Sequence, residues 1–419
     1  MIKFIHCADL HIDSPFKGVS DINSDLADLL YKATYDSFNN IITVALEEKV
    51  DAVLIAGDIY DSEDKSLRAQ FKFRDGLKKL SAAGIPSFIV HGNHDPLNGW
   101  AATLRWPDNV HVFPSEPACL PLEKDGVKVA NIYGVSYPRR EIKENLATRF
   151  PEADRSLPCI ALLHSNVGGN AEHANYAPCS IEDLSALGMN YWALGHVHTY
   201  KKMGLPRYPI VYPGCSQGRN PSETGEKGCC LVTISEKADP IVKFIQTDVF
   251  RHFSISLDIS KLESIELVES AVVEAGRRNV AAADGCNCIF RVELTGRTDV
   301  NQELRRNKAV GDLLDQIRGD MAGDRPVAWM DKLILNTASA YDVDSLRAGN
   351  DIVADIIKAC DEMLDPANAG IGDLRASIKA LFVDNKSVAD IVGDLPDDAI
   401  RALALQARNL VLDDIVGSD

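Results

Sequence analysis

Five short clusters in the first half of the chain carry the side chains that could do chemistry. In order they are Asp9-Leu10-His11, Gly57-Asp58-Ile59-Tyr60-Asp61, Gly92-Asn93-His94-Asp95, His164 alone, and Gly195-His196-Val197-His198. All ten histidines fall at or before His252, and the last 167 residues hold none. Singly, each cluster is weak. Asp-x-His can be a strand-end pair sharing a local hydrogen bond, and a lone histidine is more often structural than a ligand. His-x-His says more, because alternate side chains of an extended backbone point the same way. Gly-Asn-His-Asp is the most specific, its glycine permitting a sharp turn at a strand end. Together, carboxylate, amide and imidazole donors are the inventory of a two-metal centre, suited to Mn2+, Fe or Zn2+. The ten cysteines offer no competing site, since neither Cys229-Cys230 nor Cys286-x-Cys288 has zinc-ribbon spacing.

Clusters of this kind need strand ends to present them. Apolar runs at 2–6, 52–56, 86–90, 159–163 and 191–194 read as buried strands, and each stops just before one cluster. A sixth run covers 210–212. Tyr31, Tyr35, Phe38, Ile42 and Leu46 recur at helical spacing behind a candidate N-cap, Ser24, and 71–82 reads as a second helix. Alternating strands and helices imply an α/β layer fold over 1–249. From 250 to 344 the pattern becomes a small α+β domain, with strands at 254–257, 288–294 and 332–335 and helices at 262–278 and 302–319. From 345 to 419 the chain reads as helical. The stripes Leu374, Ile378, Leu381, Phe382 and Ile400, Leu403, Leu410, Leu412 fit either local packing or a docking surface.

The 419 residues carry a net charge of −17 at 46% hydrophobic content, which excludes general disorder and a simple basic nucleic-acid-binding module. The acidity is uneven: 345–419 holds 7 basic against 14 acidic side chains. No apolar leader opens the sequence and no run of about 18 apolar residues occurs, so neither a signal peptide nor a membrane span is expected. With scattered cysteines, a reduced cytoplasmic setting is expected.

The five blocks D-x-H, GD, GNHD, H and GHxH, in this order, resemble the calcineurin-like metallophosphoesterase superfamily over about 1–235. The stretches 9–16 (DLHIDSPF) and 212–228 (YPGCSQGRNPSETGEKG) are similar to the YhaO-like branch of the SbcD-type DNA repair exonucleases. The resemblance implies a four-layer α-β-β-α sandwich, a small α+β capping domain and a helical C-terminal segment. It implies that Asp9, His11 and His198 hold one metal, that Asn93, His164 and His196 hold the other, and that Asp58 bridges both. His94 would be the catalytic histidine. Where some relatives carry a second histidine, three residues after the bridging aspartate, this chain has Asp61. The cofactors implied are two divalent ions, Mn2+ foremost, with Fe, Zn2+ or Mg2+ as alternatives. Such a pair, about 3.5–4 Å apart, can clamp one phosphodiester and reverse the local charge of an acidic chain.

Other residues stay open between two readings. Asp95 could orient His94 or cap the turn, and Asp13 could support His11 or shape the turn before Pro15. Arg139, Arg140, Lys143, Lys201, Lys202, Arg207, Arg219 and Lys227 could track DNA phosphates or be a solvated surface. Tyr133, Tyr137 and Tyr176 could stack on bases. His6 and His91 are expected to be structural; His111, His173 and His252 have no motif context. The resemblance implies a DNA exonuclease or endonuclease subunit with DNA and an SbcC-like ABC-type ATPase as partners, the latter on the helical tail, and a homodimer through the 31–46 helix face. Alternatives are a small-molecule phosphomonoesterase or cyclic-nucleotide phosphodiesterase, and a non-catalytic scaffold in a repair complex.

Overall fold

Runs that are apolar at every position need cover on both faces, and here they form the middle of two sheets. The structure, a computed structural model, describes all residues except 19–23, 62–65, 100–103, 155, 170–175, 236–237, 366–369, 382–394 and 417–419. His173, Phe382 and the side chains of Ser24 and Leu381 therefore lie outside the described residues. Strands β1 (Ile2–Cys7), β2 (Ala52–Ala56), β3 (Ser87–Val90) and β4 (Val110–Val112) run parallel in one sheet. The second sheet takes β5 (Ala118–Lys124), β6 (Val127–Gly134), β7 (Cys159–His164), β8 (Tyr191–Gly195), β9 (Lys201–Leu205) and β10 (Tyr208–Tyr212), in the order β5-β6-β7-β8-β10-β9. Its central strands are parallel, and β5 and β9 close it as antiparallel edges. Strands β11 (Gly228–Ile234) and β12 (Ile241–Gln246) then extend the first sheet antiparallel beside β1.

The two sheets meet face to face. Phe4, Leu54 and Phe88 from one share a buried core with Ile132, Leu162 and Tyr191 from the other. Helices α1 (Ser24–Glu47) and α2 (Leu67–Ala82) cover the outer face of the first sheet with Phe38, Ile42, Phe73 and Leu77. Each such side chain stabilises the layer by about 2–3 kcal/mol. The outer face of the second sheet, where Trp192 and Tyr212 sit, is covered by loop residues, a 3-10 turn (Leu146–Arg149) and short α3 (Ile181–Ala186). The result is the expected α-β-β-α sandwich, with one outer layer built from short pieces.

Differences from the sequence reading have local causes. Helix α2 starts at Leu67 because Ser66 caps it, its hydroxyl accepting from Ala69 N at 2.9 Å. On α1, Phe38 and Ile42 turn into the core while Tyr31 stays exposed. The strands not anticipated are β4, β5, β6, β9, β11 and β12. Five of them carry several exposed or half-buried positions that dilute the apolar run, and β11, buried but for Thr233, opens on Gly228-Cys229-Cys230.

The chain divides into two compact units, the first made of 1–253, 280–289 and 325–327, and the second of 254–279, 290–324 and 328–419. A three-stranded sheet of β13 (Phe250–Asp258), β14 (Asn287–Thr298) and β15 (Ala328–Ser339) follows the sandwich, together with α4 (Ile265–Ala282), α5 (Asn301–Leu304) and α6 (Ala309–Met321). The helix expected over 302–319 is in fact two, broken before Lys308, which takes φ +70°. The tail forms α7 (Val343–Arg347), α8 (Ile352–Leu364), α9 (Gly370–Leu381) and α10 (Asp397–Val416) among the described residues. No described helix is long and apolar enough to cross a membrane.

Candidate metal centre

Parallel strands place their carboxyl ends together, and five of those ends deliver the five clusters to one place. Asp9 and His11 follow β1, Asp58 follows β2, Asn93 and His94 follow β3, His164 ends β7, and His196 and His198 follow β8. Leaving a strand abruptly strains the backbone. Asp9, His11, Asp58 and His196 all take positive φ (50°, 43°, 52° and 104°), at a cost of roughly 1–2 kcal/mol each. Amide bonds hold the strained turns, with Asp9 N donating to Gly57 O and His11 N to Asp58 O, both at 3.1 Å.

The side chains converge into one buried group. One ligand atom each from Asp9, His11 and His198 lies within 4.8 Å of the others, and the same holds for Asp9, Asp58 and His164. His164 Nε2 is 3.0 Å from Asn93 Oδ1 and 3.3 Å from Asp58 Oδ2, while His196 Nδ1 is 3.3 Å from the same Asn93 oxygen. His11 Nε2 lies 4.0 Å from Asp58 Oδ2, so Asp58 reaches both halves of the group. All seven of the expected ligands therefore come together. His94 stands beside them with its side chain one-third exposed, edge-on to His11 at 5.1 Å between ring centroids.

The electrostatics are those of carboxylates among imidazoles. Burial pushes Asp58 upward, but His164, His94 and His11 outweigh it and hold the carboxyl well below its usual range. Burial works against His164 too, yet Asp58 beside it raises the imidazole to about 9. Asp9 is raised by burial to about 6. Burial lowers His11 to about 4. Burial also disfavours charge on His94, but its hydrogen bond to Asp61 and the charge of Asp58 win and raise it.

Asp61 is the partner that the sequence reading passed over. Its Oδ1 lies 2.6 Å from His94 Nδ1 and 3.5 Å from His11 Nδ1, and its Oδ2 accepts from Ser14 Oγ and Arg219 Nη1, both at 2.8 Å. Of the two readings left open for Asp95, orienting His94 or capping the turn, its contacts show the second. It caps its own turn, accepting from Gly92 N at 2.8 Å, Ile59 N at 3.0 Å and Asp58 N at 3.2 Å, and pairs with His91 Nδ1 at 3.1 Å. Asp13 accepts from Ser66 Oγ and so serves the α2 terminus. Gly92 does not have the positive φ a sharp turn would suggest. It is glycine because a Cβ would stand 2.3 Å from Asp58 Oδ1 and 2.8 Å from His164 Cε1.

The remaining candidates separate by burial. His6 is buried and structural, bonded to Tyr191 Oη and Leu194 O. Arg139, Arg140, Lys143, Lys201, Lys202 and Arg207 lie at the surface. Arg219 is instead committed to Asp61, and Lys227 is buried with Nζ on His198 O at 3.3 Å, so both belong to the wall of the site. Tyr133 and Tyr137 are buried in the sandwich and cannot stack on a base, whereas half-buried Tyr176 lies edge-on to His196 at 6.0 Å. Glu223 was also missed. Its carboxylate lies 2.6 Å from His198 Nδ1, inside a stretch whose spacing gives no sign of it.

Comparison with known proteins agrees with this geometry. Residues 2–200 match the family described as calcineurin-like phosphoesterase, and residues 253–338 match the middle domain of metallophosphoesterase YhaO. The chain is 38% identical to the uncharacterized metallophosphoesterase YhaO of Bacillus subtilis (strain 168) over 235 residues, 56% of this chain and 58% of that one. It is 28% identical to the DNA double-strand break repair protein Mre11 of Sulfurisphaera tokodaii, over 60% of this chain and 66% of the relative. A protein of the same description from Sulfolobus acidocaldarius is 24% identical over 85% of this chain and 90% of its own length. The match thus spans just under three-fifths to two-thirds of the first two relatives.

Proposed function

We propose, from the premise that residues 2–200 belong to the calcineurin-like phosphoesterase family, that this chain is a two-metal phosphodiester hydrolase acting on DNA as an exonuclease or endonuclease subunit. The observation that carries the reading is the buried convergence of Asp9, His11, Asp58, Asn93, His164, His196 and His198 with His94 at its rim. These residues fit metal ions. Nδ1 of His11 faces Asp61 at 3.5 Å, and its buried Nε2 has no hydrogen bond among the described residues, a position that a cation would complete. Asp9, His11 and His198 would hold one ion and Asn93, His164 and His196 the other, with Asp58 reaching both. Bound divalent ions supply Lewis-acid activation of the phosphoryl group and of the attacking water. Asp61 commits Nδ1 of His94, which leaves Nε2 to hand a proton to the leaving oxygen. We take Mn2+ as the working metal and the cytoplasm as the setting.

Three features support DNA as the substrate: the likeness to Mre11-named relatives, the domain over 253–338 that a small ester would not need, and the surface cations Arg139, Arg140, Lys201 and Lys202. The overall charge of −17 opposes wrapping of DNA, so much of the binding falls to a partner. That partner is an SbcC-like ABC-type ATPase with coiled coils. Its dock is the tail, where α10 leaves Leu403, Leu405, Leu410 and Val411 between 40% and 47% exposed. Leu29 and Tyr31 of α1 offer a second apolar patch for a homodimer.

The deciding assay gives purified protein, Mn2+ and the ATPase either linear DNA or a generic aryl phosphodiester. Cleavage of both is expected. Turnover of the ester with intact DNA would replace the nuclease reading with a small-molecule phosphodiesterase. Loss of ATPase binding in Leu403→Glu/Leu410→Glu, with ester hydrolysis retained, is the result expected for a docking tail.

A further inference from the structure

The loop at 213–227, between β10 and β11, belongs to none of the five clusters, yet it touches the centre at two points. We propose that Glu223 is a positioning residue that selects which ring nitrogen of His198 faces the metal, and that its loop ties this choice to the Asp61–His94 pair. The proposal rests on the metal reading of the site.

A carboxylate can only accept, so the 2.6 Å contact puts the proton on His198 Nδ1, donating to Glu223 Oε1. In a neutral imidazole the lone pair then sits on Nε2. A nitrogen that donates cannot also coordinate, so Nε2 is the atom His198 brings to the group it forms with Asp9 and His11. His198 and Glu223 also fall in a group with Cys215 that could hold an ion by itself. A 2.6 Å approach is that of a charge-assisted hydrogen bond, and it leaves no place for an ion between those two atoms. The buried Cys215 thiol, pushed well up by burial, is a poor thiolate ligand.

Glu223 is itself fixed. Its Oε2 accepts from Arg219 N at 2.6 Å and Asn220 N at 3.3 Å, and its side chain is only 10% exposed. The loop holds the His198 backbone as well, because its carbonyl accepts from Cys215 N at 3.2 Å and Lys227 Nζ at 3.3 Å. The same loop sends the Arg219 guanidinium to Asp61 Oδ2, the carboxylate whose other oxygen holds His94. One loop thus orients a metal ligand and braces the partner of the proposed proton donor. An outer carboxylate of this kind typically carries 10–100-fold in metal affinity or activity.

The test uses the full chain with 15N-labelled histidine and Mn2+ titration. In the metal-free protein, His198 is expected to show a protonated Nδ1 and an unprotonated Nε2. Glu223→Ala should shift the ring toward the other tautomer and weaken one of two Mn2+ sites by about 10–100-fold, leaving the second unchanged. Glu223→Gln, which retains an acceptor oxygen, should recover most of that affinity. An unprotonated Nδ1 in the unaltered protein would overturn the proposal without any variant, as would superimposable Mn2+ isotherms for Glu223→Ala and the unaltered chain. Failure of the unaltered chain to bind Mn2+ at all would instead remove the metal reading.

Discussion

The two halves of the centre are held by different materials. On one side, His164 gives Nδ1 to the Ala56 carbonyl at 2.9 Å, and its Nε2 meets Asn93 at a neighbouring strand end. On the other, His94, His11 and His198 lean on loop carboxylates, Asp61 at 2.6 and 3.5 Å and Glu223 at 2.6 Å. A strand carbonyl is fixed by sheet register and no substitution deletes it. A loop carboxylate is one residue. The support of the first half should therefore fail only with the fold, while the supports of the second should fail by single substitutions that leave the protein folded.

The largest effect sets the scale for that contrast. Asp58 reaches both halves, so Asp58→Asn should reduce Mn2+-dependent hydrolysis of an aryl phosphodiester by about 10^4-fold or more. Activity within tenfold of the unaltered protein would mean that the cluster is not the centre. His94→Gln comes next and bears on the carboxylate-held half alone. Turnover should fall on the order of 10^2–10^4-fold with Mn2+ affinity unchanged, because the role proposed for His94 is proton transfer rather than ligation. A matching loss of Mn2+ affinity would make His94 a ligand and dissolve the distinction.

The sequence made the two halves unequally legible for the same reason. Strand-end ligands announce themselves, since an apolar run followed by Asp-x-His or Gly-Asn-His-Asp constrains both element and chemistry. That is why β1, β2, β3, β7 and β8 were readable, and why the seven residues expected as ligands could be named before their convergence was seen. Asp61 lay in plain view in Gly57-Asp58-Ile59-Tyr60-Asp61, but the tertiary fold aims its carboxylate at His94 and His11 across sequence gaps that no spacing rule covers. Glu223 reaches His198 across 25 positions from a polar loop, where one acid looks like another. Asp95 stayed open between two readings for the opposite reason. Adjacent to His94, it turns back onto the Gly92 amide, three residues away in its own turn, and onto those of Asp58 and Ile59 after β2. The half-exposed edge strands were hidden by dilution, and the break before Lys308 by backbone conformation that composition does not reveal.

The carbonyl that holds His164 can be reached only through packing. A Cβ on Gly195, the last residue of β8, would lie 1.9 Å from the Ala56 carbonyl that His164 uses. Gly195→Ala must therefore separate β2 from β8 or lose that bond, and overpacking of this kind costs about 3 kcal/mol. Urea unfolding of the metal-free protein should show the loss. An unchanged midpoint with weakened metal binding would mean that this half, too, can be damaged without cost to the fold.

His6 carries the backbone-held arrangement to its limit, because it takes no part in the centre. Its Nε2 faces the Leu194 carbonyl at 3.1 Å and its Nδ1 the Tyr191 hydroxyl at 2.9 Å, which satisfies a neutral ring donating from Nε2. Burial lowers the imidazole to about 3, against an upward pull from Leu194. Above the unfolded value of about 6.5 neither state binds the proton, and the contribution of His6 to stability is complete. Below it, down to about 3, the unfolded chain takes up a proton that the folded protein refuses. Stability then falls by roughly 1.4 kcal/mol per pH unit, about 2 kcal/mol by pH 5. Other groups titrate over the same range, so the informative quantity is the penalty of His6→Gln measured by denaturant unfolding at both pH values. It should be about 2 kcal/mol smaller at pH 5 than at pH 7. An equal penalty at both would show that His6 accepts a proton in the fold, and that strand carbonyls do not hold the rings between the sheets as firmly as the geometry requires.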